Sequence, residues 1–98
     1  MDFSALKAKL DILFAALQQT TEAGELPALS EVTTFVLLVE KMHMNAPDDW
    51  LNEAEDFLHL ARQLLFAVKH GRVQDAVLLL DALQDAREFC HRTYGKPK

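Results

Sequence analysis

The chain has 98 residues, half of them apolar, with 10 Lys and Arg against 15 Asp and Glu for a net charge of −5, one Cys, three Gly and three Pro. This is the composition of a single globular domain, 1–98, and it excludes intrinsic disorder for the body of the chain. The lone Cys excludes an intramolecular disulfide and a four-cysteine zinc site, the acidic balance argues against nucleic acid or an anionic membrane as partner, and no apolar run approaches the ~20 residues of a membrane span.

The opening Met1-Asp2-Phe3-Ser4 has no basic flank and no cleavage signal, so a cytoplasmic location is expected. Breakers then cluster at Gly24 with Pro27, at Asn45-Ala46-Pro47, at His70-Gly71, and at Gly95 with Pro97. The segments between them have helical rather than alternating periodicity. The first, about Phe3 to Gln19, carries Phe3, Leu6, Leu10, Leu13, Phe14 and Leu17 on one face, with Lys7, Lys9 and Asp11 on the other. The second, about Leu29 to Met44, has Ser30 as its predicted N-cap and a stripe of Val32, Phe35, Val36, Val39 and Met42. The third runs from about Asp49 to Lys69, opened by the acids Asp48-Asp49 and closed by Lys69-His70-Gly71, which matches the helix macrodipole at both ends. Its stripe is Leu51, Ala54, Phe57, Leu58, Ala61, Leu64, Leu65 and Val68. The fourth, about Val73 to Tyr94, presents Val73, Ala76, Val77, Leu80, Leu83, Arg87 and Cys90. No segment has strand periodicity, and short links between helices of matched length predict an all-α, up-down-up-down antiparallel four-helix bundle.

Segments two and four carry more apolar residues than one buried stripe uses. Leu37, Leu38 and Met44 lie off the stripe of the second, and Leu78, Leu79, Ala82 and Phe89 off that of the fourth. A helix apolar around most of its circumference is covered on both sides, so Leu37, Leu38, Leu78, Leu79 and Phe89 are read as an interface, for a homodimer or for a partner protein docked on helices two and four. The alternative places these leucines in a broad core-facing arc.

Groups for covalent catalysis are few. Ser4 and Ser30 sit at helix starts, no glycine-rich loop cradles phosphate, and Cys90 on a bundle face behaves as a small buried hydrophobe. The histidines form a pattern: His43, His59 and His91 each follow an acid by three residues, Glu40, Asp56 and Glu88. Residues at that spacing share a helix face. In an antiparallel bundle Glu40, His43, Glu88 and His91 fall at one end, and they are the candidate metal set. In outline the set resembles that of ferritin-like di-iron proteins, although helix one contributes no Glu; surface pairs near helix ends are the other reading.

The last helix carries the most specific resemblance. Gly71-Arg72-Val73, Ala76, Leu83, Arg87, His91 and Tyr94 are spaced as in the closing helix of the soluble b-type four-helix cytochrome of the bacterial periplasm, and through it the chain resembles cytochrome c-prime, over about a quarter of its length. The resemblance implies a cytochrome-like bundle with haem as cofactor, His91 as axial ligand and Arg87 one turn before it. The second ligand of that family, a methionine near the start of helix one, falls at about Lys7 here, so the haem would be five-coordinate. Arg87-Glu88-Phe89-Cys90-His91 holds only one of the two thiols of a covalent attachment site.

The expected function is therefore a non-enzymatic helical interaction module, without a cofactor, self-associating through helices two and four. The alternatives are a haem-binding electron carrier or sensor using His91, and a non-haem metal-binding bundle using Glu40, His43, Glu88 and His91.

Overall fold

A computed structural model describes residues 3–46 and 48–93, and for Phe3, Ser4, Trp50 and residues 88–93 the backbone alone. It contains four helices, α1 (Phe3–Glu22), α2 (Leu29–Met44), α3 (Leu51–Lys69) and α4 (Val73–Thr93), with a short 3-10 turn at Asp48–Trp50. There is no strand among the described residues.

Local chemistry sets most of the boundaries. α1 runs past its expected end at Gln19 to Glu22, and in this last turn the hydroxyls of Thr20 and Thr21 donate back to the carbonyls of Ala16 and Leu17, 3.1 and 3.3 Å away. Gly24 then stops it: at φ 81 it takes the left-handed conformation that favours glycine. The Gly24 amide donates to Thr21 O and the Glu25 amide to Thr20 O, the paired bonds of a Schellman cap. Gly71, at φ 68, closes α3 in the same way, with the Gly71 amide on Val68 O and the Arg72 amide on Ala67 O.

Two helix starts differ from expectation. Ser30 is not the cap of α2: Ala28, extended at φ −63 and ψ 136, holds that position without a side-chain bond, and its carbonyl receives the first helical amide, that of Val32. Ser30 lies one residue inside the helix, where its carbonyl accepts from the Thr34 hydroxyl. The acids Asp48 and Asp49 form the 3-10 turn rather than the first turn of α3. A tighter turn of this kind is common at a helix entrance.

Most residues of the sequence stripes are buried, while Leu13, Met42, Leu51, Leu65, Val73, Val77 and Arg87 are only partly so and Ala67, off the stripe, joins the core. Leu6, Leu10, Phe14 and Leu17 of α1, Val32, Phe35, Val36 and Val39 of α2, and Ala54, Phe57, Leu58, Ala61, Leu64 and Val68 of α3 are buried, with Ala76, Leu80 and Leu83 of α4. Fully burying a leucine or phenylalanine stabilises the fold by about 1.5–3 kcal/mol. Phe14, Phe35 and Phe57 form a ladder across three helices, with ring centroids 5.9 and 6.2 Å apart. The helices meet around a ring, α1 on α2, α2 on α3, α3 on α4 and α4 on α1, and among the described residues neither diagonal pair brings its backbones within 8 Å. Among the described residues the α2 to α3 contact is the broadest between helices and the α4 to α1 contact the narrowest.

Candidate functional site

Three places outside the core gather polar or exposed apolar side chains, and each bears on one of the expected sites. The first lies between α2 and α3. Glu40 accepts a hydrogen bond from the Arg62 guanidinium at 2.8 Å. One turn on, His43 Nε2 lies 3.6 Å from Glu55 Oε1, too long for a hydrogen bond but close enough for attraction when the imidazole is protonated. Glu40 rises along α2 while its partner falls along α3, from Arg62 to Glu55, so the two helices run in opposite directions here. The His43 Nε2 atom itself is enclosed and has no hydrogen-bond partner. Glu40 and His43 thus face α3 from α2, each held against a side chain of α3. Their expected companions Glu88 and His91 have side chains outside the described residues. No group of three or more His, Cys, Asp or Glu among the described residues is placed to hold a metal ion.

The second place is the seam between α1 and α4, where the haem reading put Arg87. The Arg87 guanidinium donates from Nε to Asp11 Oδ1 at 3.1 Å, with Nη2 at the same distance from that oxygen, and Nη1 reaches Gln84 Oε1 at 3.4 Å. Gln84 Oε1 also accepts from Gln18 Nε2 at 3.3 Å. The guanidinium carbon stands 5.5 Å from the centre of the Phe14 ring, within cation–π range. Arg87 is therefore a clasp between two helices. A flat cofactor entering between α1 and α4 at this level would have to draw it away from Asp11. The axial position, His91, has its side chain outside the described residues.

The third place is an open groove of about 420 Å³ between α3 and α4, lined by Gln63, Phe66 and Ala67 on one wall and Asp75, Leu78 and Leu79 on the other. Phe66 and Leu78 are 56% and 65% exposed. They are the two large apolar side chains left exposed on its opposite walls. The Phe66 ring leans on His70, with centroids 4.2 Å apart, and one turn back the Gln63 amide nitrogen lies 3.0 Å from His59 Nε2, a bond that a neutral imidazole accepts.

The five expected interface residues separate in the structure. Leu38 and Leu79 are partly buried and pack against the core. Leu37 and Leu78 are exposed, but on helices that do not meet. The side chain of Phe89 lies outside the described residues. What sequence reading missed is Phe66, on the neighbouring helix. Its signal was available: it falls on the polar side of α3, off the stripe of Leu64, Leu65 and Val68, and the same off-stripe test applied to α2 and α4 finds it.

Comparison of the chain with protein families, curated proteins and solved structures gives no match, so functional inference rests on these three places. No helix among the described residues is long and apolar enough to cross a membrane.

Proposed function

We propose that this protein is a non-enzymatic helical interaction module whose binding face is the α3/α4 groove. The observation that carries the reading is the pair Phe66 and Leu78, large apolar side chains left exposed on opposite walls of a preformed cleft. Helix-lined grooves of this kind bind by seating apolar side chains of a partner between two rigid walls, at little cost in ordering the receptor. Self-association through the exposed Leu37 of α2 and Leu78 of α4 requires two separate patches, whereas the groove is one continuous surface. In the other two places Glu40 pairs with Arg62 and Asp11 with Arg87.

The test is a photo-crosslinking side chain placed at Gln63, in the groove, or at Lys9, exposed on α1, in the full chain expressed in its native cell. The expected result is one discrete, identifiable protein adduct from Gln63 that disappears on Phe66→Asp and does not form from Lys9. Equal labelling from both positions, or none from Gln63, overturns the reading. The absorbance spectrum of the same purified protein with added haem checks the cytochrome alternative. A Soret band lost in His91→Ala would put that alternative first.

A further inference from the structure

We propose that the outer face of α2, away from the α3/α4 groove, is a self-association surface that packs antiparallel on the same face of a second copy, about a two-fold axis at Leu37. Six large apolar side chains are exposed among the described residues, and three of them stand on this helix: Leu29, Leu37 and Met44, at 46%, 53% and 79% exposure. At 3.6 residues per turn the three fall within about a quarter of the circumference. Thr33 and Lys41 lie between them along the helix, both exposed.

The order of these residues is its own reverse. Leu29 stands eight residues before Leu37 and Met44 seven after it, while Thr33 and Lys41 stand four to either side. In an antiparallel two-fold pair, a residue before Leu37 meets the residue equally far after it in the other copy. Leu37 then meets its own image, Leu29 falls beside Met44 at both ends, and Lys41 lies opposite Thr33. The Thr33 hydroxyl donates to Leu29 O at 2.8 Å, which leaves its oxygen free to accept from the second copy's Lys41. A different partner has no need of this reversal, whereas a second copy requires it.

The charges around the stripe admit a second copy, although the protein carries −5. Among the described residues α2 is the one helix with no exposed Asp or Glu. Its acids Glu31 and Glu40 are half-buried and, nine residues apart, lie on opposite edges. Lys41 stands about 12 Å along the axis from its image and Glu31 about 18 Å from its own, beyond the ~8 Å screening length of physiological salt. The two-fold axis also sets each edge of α2 beside the same edge of its image. On one edge Lys41 comes within two residues of the level of the second copy's Glu31. On the other, Glu40 holds Arg62, and Glu55 lies beside His43. Lys69, exposed and seven residues after Arg62 on the same face of α3, is level with Thr33 because the two helices run in opposite directions. The second copy's Lys69 therefore joins Glu40, Arg62 and Glu55, two charges of each sign. The stripe is one helix wide and about 22 Å long, so the contact belongs to the class below ~1,200 Å² and the dimer dissociates on dilution.

The test is sedimentation equilibrium of the full chain from about 10 µM to about 1 mM. The mass should rise with concentration from 11.1 kDa towards twice that value. Leu37→Asp, which sets a carboxylate against its own image, should weaken association at least about tenfold, with circular dichroism as the check of folding. Met44→Asp replaces it should that variant misfold. Phe66→Asp, in the α3/α4 groove, should change association less than about twofold. Disulfide formation in a Cys90→Ser background reads the register. Leu37→Cys should crosslink to itself and Thr33→Cys to Lys41→Cys in a mixture, whereas Lys41→Cys alone, about 12 Å from its image, should not.

A mass of 11.1 kDa at every concentration overturns the proposal. So does a dimer that Leu37→Asp leaves intact, or one in which Leu37→Cys fails to crosslink. A dimer that Phe66→Asp dissociates and Leu37→Asp does not places the second copy in the groove, against the α2 contact.

Discussion

The α2/α3 side of the bundle and the α4/α1 side are built differently. α2 and α3 share the broadest helix-to-helix contact, with Phe35 and Phe57 ring against ring and the ion pair of Glu40 with Arg62 outside that apolar layer. Among the described residues α1 and α4 share the narrowest contact, and the side-chain bonds across it come from Asp11, Gln18, Gln84 and Arg87. The first contact is held mainly by removing apolar surface from water, which needs close fit but no particular pair. The second depends on a few directional bonds at half-exposed positions, where solvent competes with each one. Closure of the ring at α1 is thus the least secure of the described helix contacts, and the α2–α3–α4 side supports both walls of the α3/α4 groove.

The largest effect expected from disturbing this contrast is at Phe35, which is buried and touches both neighbours in the aromatic ladder. Phe35→Ala should lower the unfolding free energy by about 3–5 kcal/mol in urea titration. A loss below 1 kcal/mol would mean that the ladder does not hold the centre of the bundle. Gly71→Ala should cost about 1 kcal/mol, because the added Cβ meets no neighbouring atom and only the left-handed backbone is penalised. Gly24→Ala has the same local geometry. An equal cost at both sites would show that the two caps act independently of the different seams they adjoin.

Smaller again is the clasp. A double-mutant cycle of Asp11→Asn and Arg87→Met should give a coupling of about 0.5–1 kcal/mol, since both side chains are partly exposed. Its sharper signature is in amide hydrogen exchange: the Arg87 variant should raise exchange in α1 more than in α2 or α3, because a weakened seam releases the helix it closes. Uniform acceleration across all four helices would abolish the distinction between the two sides. Smallest is the Glu40 and Arg62 pair, more exposed than the clasp, where the cycle should give less than about 0.5 kcal/mol and vanish as salt is raised.

Periodicity made the fold legible. Of the stripe read for α2, Val32, Phe35, Val36 and Val39 are its buried set and Met42 is partly buried against the core, because a 3.6-residue period and a single core leave little freedom in which face turns inward. The end of α1 was less legible, since Thr20 and Thr21 have modest helix propensity and their back-bonds to the preceding turn are not visible in the pattern. The cap of α2 was misplaced because Ser30 has the right chemistry, while Ala28 has the right backbone and no side-chain oxygen. Of the candidate site, Leu78 was visible as an off-stripe residue. Its pairing with Phe66 depends on which helices are neighbours, and periodicity along one helix does not contain that. The Asp11 to Arg87 contact spans most of the chain and has no local signal at all.

Gly71 has one further consequence. The turn it caps joins the two helices that line the groove, so both walls come from one uninterrupted hairpin of the chain, Gln63 to Leu79. Contacts between residues so near in sequence are the kind that chains form fastest during folding, since little loop entropy stands against them. The groove is in this sense written locally, in a stretch that does not wait for α1 to close the ring, and lengthening the distant link between α1 and α2 would leave its dimensions as they are.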